Sequence, residues 1–350
     1  RPPPPPPLLS LTSMDLFVQK HFEAGEMFPK YPRDSSGLYM KAFLPTEKEQ
    51  IKSTLRKYGV VVVRMFDAKR CDQTVEAMFA EMNENQRDTA TKPLKKDDPS
   101  TWETENWPTA RKFLAGGVAQ SEMAFRNRLD PTLVGVFAEL YGTSKLWASI
   151  DHWGVMRGTV GVQYPVDDAN DAKGVGGGNV TRNREDWRVP ALKLHWDQDL
   201  PRYFSEIDKG AKRRYQGILA VDNCPESVGG FCAVPGSHEA AREWLRRGNR
   251  PYNYKFVPEG DAMHNHVQRF PLRKGDMVIW DFALAHANFE NRGKALRLVQ
   301  MIRMMPEGTL GTHDNRSPVV ILKKNAALLR KVKAMRLSRK QLRLLGLERY

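Results

Sequence analysis

The sequence predicts a mainly β domain with flanking helices (α+β), the helices gathered on its N-terminal side. Three observations carry this. From Leu146 onward, β-branched and aromatic residues fall in short runs separated by turn residues, the pattern of a sandwich, barrel or jelly roll. Before that point apolar residues recur at helical spacing. The hydrophobic fraction is 41% over 350 residues, ordinary for a chain that buries a sizeable core.

The elements follow in order. Arg1 to Leu8 contains a run of six prolines, which suits an extended or disordered tail and no helix. Met14 is a candidate natural start. Residues 1–43 are therefore expected to be irregular, with ordered structure beginning near Leu44. Thr46-Glu47-Lys48-Glu49 reads as a capping box, Ile51 and Leu55 continue a helical face, and Gly59 can end it in the left-handed region. Val60–Val63 is a buried strand. Val75, Met78, Phe79 and Met82 mark a second helix. Asp130-Pro131 opens a third, and Gly142 stops it. Strands are expected at 146–150, 153–164, 191–196, 215–222, 230–234, 265–271, 276–281 and 295–304, with one helix from Glu239 to Arg247 between them. The Gly- and Asp-rich stretch Pro165–Arg188 is long for a loop inside a compact domain and is a candidate lid. The divisions are thus 1–43, a domain over 44–317 (helical part 44–145, β core 146–306) and a tail over 318–350.

Charge is uneven. The net +14 includes ten basic residues and one acidic residue within 318–350. Leu328, Leu329, Val332, Met335 and Leu342 recur there at helical spacing, so a solvated basic helix docked on the body is the simplest reading. A patch for an anionic substrate, a membrane surface or nucleic acid is the alternative. No aromatic-basic stacking platform supports nucleic acid, which stays the less favoured partner. No apolar run is long enough for a membrane span. The three cysteines, Cys71, Cys224 and Cys232, form no C-x-x-C pair and no disulfide framework. With no signal peptide and no peroxisomal tripeptide in Glu348-Arg349-Tyr350, the expected location is intracellular and cytoplasmic.

The chemistry is concentrated in His195-Trp196-Asp197. Residues i and i+2 of a strand share a face, so an imidazole and a carboxylate project together. Fe(II) oxygenases take two histidines and one carboxylate on one face of an octahedron and keep three positions open. His286, where the chain leaves the strand Asp276–Asp281, is the natural third ligand; His152, His264 and His266 are alternatives. His264-Asn265-His266 has no adjacent carboxylate and reads as surface loop. Arg297, eleven residues after His286, lies on an apolar strand, where a buried cation needs an anion. A dicarboxylate would supply one end to the guanidinium and the other to iron. A structural partner such as Asp276 or Asp281 is the competing reading, and Arg303 is the rival anchor.

With these residues the sequence resembles the phytanoyl-CoA dioxygenase family of Fe(II)/2-oxoglutarate oxygenases. The resemblance rests on His195-Trp196-Asp197, on Gly229-Gly230 with Pro235-Gly236-Ser237-His238, on Gly275 to Asp281 before His286, and on Arg297 at the matching distance. It spans residue 44 to the end. It implies a double-stranded β-helix, a cupin-like jelly roll with N-terminal helices. It implies His195, Asp197 and His286 as catalytic iron ligands, and Arg297 as the arginine for the C5 carboxylate of 2-oxoglutarate. Asn288 stands where some members have a serine that assists this arginine. No clear match exists for the group holding the other carboxylate, for which Gln163 is the candidate. The implied cofactors are Fe(II), 2-oxoglutarate and O2, with ascorbate as a candidate reductant. The implied reaction is hydroxylation of an unactivated C–H of a small or acyl substrate, anionic ones included, with release of succinate and CO2. Asp197 fills the position that halogenases of the family leave to a small residue, so hydroxylation is favoured. A nucleic-acid-modifying oxygenase and a catalytically silent metal-binding relative are the alternatives.

Overall fold

The computed structural model describes residues 28–108, 119–165, 179–246, 256–309 and 317–350. The proline run, Met14 and the glycines of the candidate lid lie outside them. The order is α1 (Lys48–Tyr58), β1 (Val60–Arg64), α2 (Ala68–Glu84), α3 (Glu122–Arg128), α4 (Pro131–Tyr141), β2 (Leu146–Ala148), β3 (Trp153–Met156), β4 (Val162–Pro165), β5 (Asn179–Arg182) and β6 (Leu192–His195). Then come α5 (Leu200–Asp208), β7 (Tyr215–Ala220), β8 (Gly230–Ala233), α6 (Ser237–Arg246), β9 (Gln268–Arg269), β10 (Asp276–Asp281), β11 (His286–Phe289), β12 (Arg297–Met301) and β13 (Met304–Pro306). The chain ends in α7 (Pro318–Lys324), α8 (Ala326–Ala334) and α9 (Arg339–Leu344).

A five-stranded sheet, β1-β10-β7-β12-β3, packs against a four-stranded sheet, β6-β11-β8-β9. This is the double-stranded β-helix. Strand alternation sorts the residues. Val60, Val62, Ile218, Ala220, Val278, Trp280 and Val299 of the large sheet meet Phe231 and Ala233 of the small one. The opposite face of the large sheet, with Val61, Val63, Leu219, Met277, Ile279 and Leu298, packs against Val75, Met78 and Phe79 of α2, Phe125 of α3, and Leu133 and Phe137 of α4. Both faces are covered, which is why β1 is an unbroken run of four valines rather than an alternation. Each fully buried valine contributes roughly 1.5–3 kcal/mol.

Several expectations need correction. Helix α1 starts at Lys48 with Glu47 at its N-cap and no side-chain cap. Glu47 turns back to accept the N–H of Leu44 at 2.6 Å, so Thr46 lies in the preceding turn and the capping box does not form. Packed structure begins well before Leu44. Phe28, Tyr31 and Met40 are buried, and the Tyr31 hydroxyl accepts the Val62 N–H at 3.0 Å. The expected strand 153–164 breaks into β3 and β4. At Gly158 the backbone of Lys294 comes so close that a Cβ would stand 2.6 Å from it. Residues 262–266, partly expected as strand, form a 3-10 turn capped by Asp261, leaving β9 only two residues long. Strand β5, within the stretch read as loop, pairs with β4.

The tail forms three short helices rather than one. Leu322, Leu328, Val332, Leu344 and Leu345 join the large core cluster, and Tyr350 donates its hydroxyl to the Leu146 carbonyl at 2.6 Å. Among the described residues no helix is long and apolar enough to cross a membrane.

Candidate metal centre

His195 closes β6 and His286 opens β11, and the two stand opposite each other in the antiparallel ladder. Their ring centroids are 4.6 Å apart. The Nδ1 of His195 bonds the Lys193 carbonyl at 2.8 Å, and that of His286 bonds the Leu284 carbonyl at 3.0 Å. A carbonyl only accepts, so each Nδ1 carries the proton and each Nε2 lone pair is free to bind a metal, the usual way a ligating imidazole is oriented. Asp197 completes the group. Its Oδ1 is 3.3 Å from Nε2 of His195 and its Oδ2 is 3.6 Å from Nε2 of His286. One ligand atom from each residue lies within 4.8 Å of the others.

Asp197 is not on the strand, as the i, i+2 argument had it, but in the bend just after it. The shared direction survives because Trp196 is pulled the other way. Its side chain is fully buried, its indole N–H donates to the Ala283 carbonyl at 2.8 Å, and its ring packs on Trp244. Burial raises the Asp197 carboxyl, but hydrogen bonds from His195 and His286 while their Nε2 atoms carry protons, and from Gln216, outweigh that and hold it well below the usual carboxylate range; a bound metal would take the place of those Nε2 protons. The carboxylate is therefore ionised, as a ligand must be.

The Pro235-Gly236-Ser237-His238 segment braces this centre from behind. The Ser237 hydroxyl accepts the N–H of Ala285, next to His286, at 2.9 Å. Gly236 donates to the Tyr58 carbonyl at 2.9 Å, and His238 bonds the Arg56 carbonyl through Nε2 at 3.0 Å.

A cavity of about 230 Å³ opens on the three ligands. Its walls include Leu192, Ile218, Phe231, Trp280 and Met301, together with Gln216, Asn288, Asp151 and Arg303. Phe231 and Trp280 flank the His286 ring at 5.9 and 5.4 Å between centroids. The donor set, two neutral imidazoles and a carboxylate facing an open cavity, fits a single Fe(II).

Arg297 lies on β12 and is 2% exposed. Burial pushes its guanidinium below its usual range. Among the described residues no carboxylate pairs with it. Asp276 is taken by Arg64 at 3.0 Å and Asp281 by Arg213 at 3.1 Å. The hydrogen-bond contact of Arg297 is Nη1 to the Met156 sulfur at 3.9 Å; Asn288 reaches the same sulfur at 3.8 Å. Gly230, at φ +99, makes room for it: a Cβ there would lie 2.2 Å from Nε of Arg297. Trp280 leaves its buried indole N–H without an acceptor. A buried cation without an anion and a buried donor without an acceptor are the groups that a bound dicarboxylate would satisfy.

Other expected site residues fall elsewhere. Gln163, on β4, lines a separate pocket with Lys96, Asp222 and Lys294, away from the metal ligands. His264 bonds the Pro258 carbonyl and His266 packs on Phe28. Sequence reasoning missed Gln216, whose Nε2 donates to Oδ2 of Asp197 at 2.7 Å. A lone amide on the inward face of an apolar strand was its only signal. Asp151, in a loop, offered none.

The fold and these three residues define a class: a jelly-roll protein with a two-histidine, one-carboxylate set placed to hold a metal ion. Within that class the chain is similar to the phytanoyl-CoA dioxygenase (PhyH) family, whose model matches residues 188–299. The matched segment contains His195, Asp197, His286, Asn288 and Arg297. A Dictyostelium discoideum protein named "Putative phytanoyl-CoA dioxygenase" is 22% identical over 274 residues, covering 73% of this chain and 75% of that one. Among solved structures, GlcNAc Inducible Gene 2, GIG2 (DUF1479), from Candida albicans aligns with a TM-score of 0.58 at 13% identity over 96% of this chain and 84% of that one. A "Putative Oxidoreductase" from Salmonella typhimurium LT2 aligns with a TM-score of 0.55 at 11% identity, covering 95% and 90%. At these identities the two structures show a shared fold.

Proposed function

We propose that the protein is an Fe(II)- and 2-oxoglutarate-dependent dioxygenase that hydroxylates a C–H bond of a small or acyl substrate. The observation that carries this reading is the conjunction of the His195, Asp197 and His286 set with Arg297, a buried cation that no carboxylate of the described fold neutralises. A metal protein of the same fold without a dicarboxylate co-substrate would have no use for that arginine.

When bound, iron and 2-oxoglutarate supply the oxidising chemistry, with succinate and CO2 as co-products; ascorbate would serve to keep the iron reduced. The chain supplies the rest. His195 and His286 present neutral Nε2 donors, held by their Nδ1–H bonds. Asp197 adds one negative charge, and Gln216 fixes one of its oxygens. Arg297 takes the far carboxylate of the co-substrate through its fork, with Asn288 beside it. Phe231, Trp280, Ile218 and Met301 keep the cavity apolar, which excludes water and strengthens those polar contacts.

The test is succinate release from 2-oxoglutarate by the iron-loaded protein, with and without O2, over a metabolite library. Succinate that requires Fe(II), O2 and intact His195, Asp197 and His286 supports the reading. Tight iron binding with no succinate under any condition would instead support a silent metal-binding relative.

A further inference from the structure

The metal-facing cavity carries a second pair of charges that the reaction above does not use. Arg303, between β12 and β13, and Asp151, between β2 and β3, both line it. Arg303 Nη2 stands 3.6 Å from Asp151 Oδ1, close enough for attraction and too far for a hydrogen bond. The backbone holds both in place. Ser149 donates its N–H to the Arg303 carbonyl at 2.8 Å and accepts the Arg303 N–H on its hydroxyl at 3.0 Å. The same hydroxyl donates to Asp151 Oδ2. Two capacities are left over. The Nε–H of Arg303 is buried without an acceptor. Among the described residues no hydrogen bond reaches Oδ1 of Asp151.

This pair differs from Arg297 in what it can accept. Arg297 is a lone cation and suits a net anion. Arg303 and Asp151 together are neutral, with the two signs side by side. A singly charged anion drawn to Arg303 would sit against Asp151, and a cation drawn to Asp151 would sit against Arg303. A molecule with both charges on the same or neighbouring carbons satisfies both. The apolar walls Leu192, Ile218 and Met301 then suit a hydrocarbon substituent.

We propose that Arg303 and Asp151 form the substrate-recognition pair, and that the substrate is a small zwitterion of the amino-acid type, its carboxylate on Arg303 and its ammonium on Asp151. This rests on the dioxygenase reading above. An acyl thioester with several phosphate charges and no ammonium is disfavoured by Asp151.

The experiment uses the iron-loaded full chain with 2-oxoglutarate and O2 and reads succinate above the substrate-free rate. The probes are aliphatic α- and β-amino acids, their N-acetyl derivatives, their methyl esters, and an acyl-coenzyme A thioester. Free amino acids are expected to stimulate, with at least about a tenfold higher half-saturating concentration for each singly charged derivative, as for a lost hydrogen bond to a charged group. For a stimulating amino acid, Arg303→Met and Asp151→Asn should each raise that concentration about tenfold or more, and Arg303→Lys should recover part of the loss. Melting curves separate this from loss of fold, and the wild-type panel decides the matter even if a variant does not fold. Equal stimulation by derivatives and parents, stimulation by the thioester alone, or none by any amino acid overturns the proposal. Consumption of 2-oxoglutarate across all conditions distinguishes the causes: if it occurs without a probe or with any other probe, only the zwitterion proposal falls; if it occurs under none, the dioxygenase reading falls with it.

Discussion

Arg297 owes its position to Gly230, whose missing side chain leaves the space that the guanidinium fills. Gly230→Ala should displace the arginine, both by the close approach and by the positive φ that a side chain resists. The half-saturating concentration of 2-oxoglutarate should rise about tenfold, a charge-assisted contact being worth roughly 1.5–3 kcal/mol; an unchanged value would show that Arg297 has other room. Asp197→Gly should end 2-oxoglutarate turnover, because in the proposed centre the carboxylate would both occupy a coordination position and balance the metal's charge. Turnover near the wild-type rate would remove Asp197 from the ligand set. At this scale the sequence was legible where chemistry and spacing coincide. His195, Asp197, His286 and Arg297 are recognisable as types at set intervals. Gln216 and Asp151 were not, since their roles arise from which strand faces which loop.

Elements were legible where both faces or both ends carry a signal. Strand β1, with four valines, and helix α4, with Asp130 at its cap and Gly142 after it, follow directly. The short β9 did not, because an Asp261-capped turn takes the residues before it. The basic tail shows the same balance: its apolar stripe announced docking, but the breaks near Asn325 and Met335 divide it into three helices. Deleting 323–350 removes Leu328, Val332, Leu344 and Leu345 from the core, each worth roughly 1.5–3 kcal/mol. The melting temperature should fall sharply, while the half-saturating 2-oxoglutarate concentration of the protein that remains folded should hardly move. Lost 2-oxoglutarate binding with unchanged melting would assign the tail to the site instead.

The whole molecule ties its helical layer to its barrel through His238, and this makes stability depend on pH. Burial, partly offset by Asp281 and Glu239, depresses the His238 pKa below its ordinary 6.5. With Nε2–H on the Arg56 carbonyl, a second proton would go to Nδ1, which is buried without a partner beside Gly59. Below about pH 6.5 the unfolded chain takes up a proton that the folded one resists, so His238 contributes stability above that pH and loses it as pH falls toward the depressed value. Thermal melts should show this decline, and His238→Gln should flatten it; an equal slope in the variant would place the titration elsewhere. The jelly roll itself was legible as a run of short strands, but the pairing of His195 with His286 across two distant strands is a property of the closed barrel. That pairing and Arg297 meet in one measurement: 2-oxoglutarate binding to the Fe(II)-loaded protein, for wild type, Arg297→Ala and Arg303→Ala. Arg297→Ala alone should weaken binding about ten- to a hundredfold, with iron affinity preserved. Unchanged binding in Arg297→Ala would contradict this, and loss confined to Arg303→Ala would move the co-substrate to the other arginine.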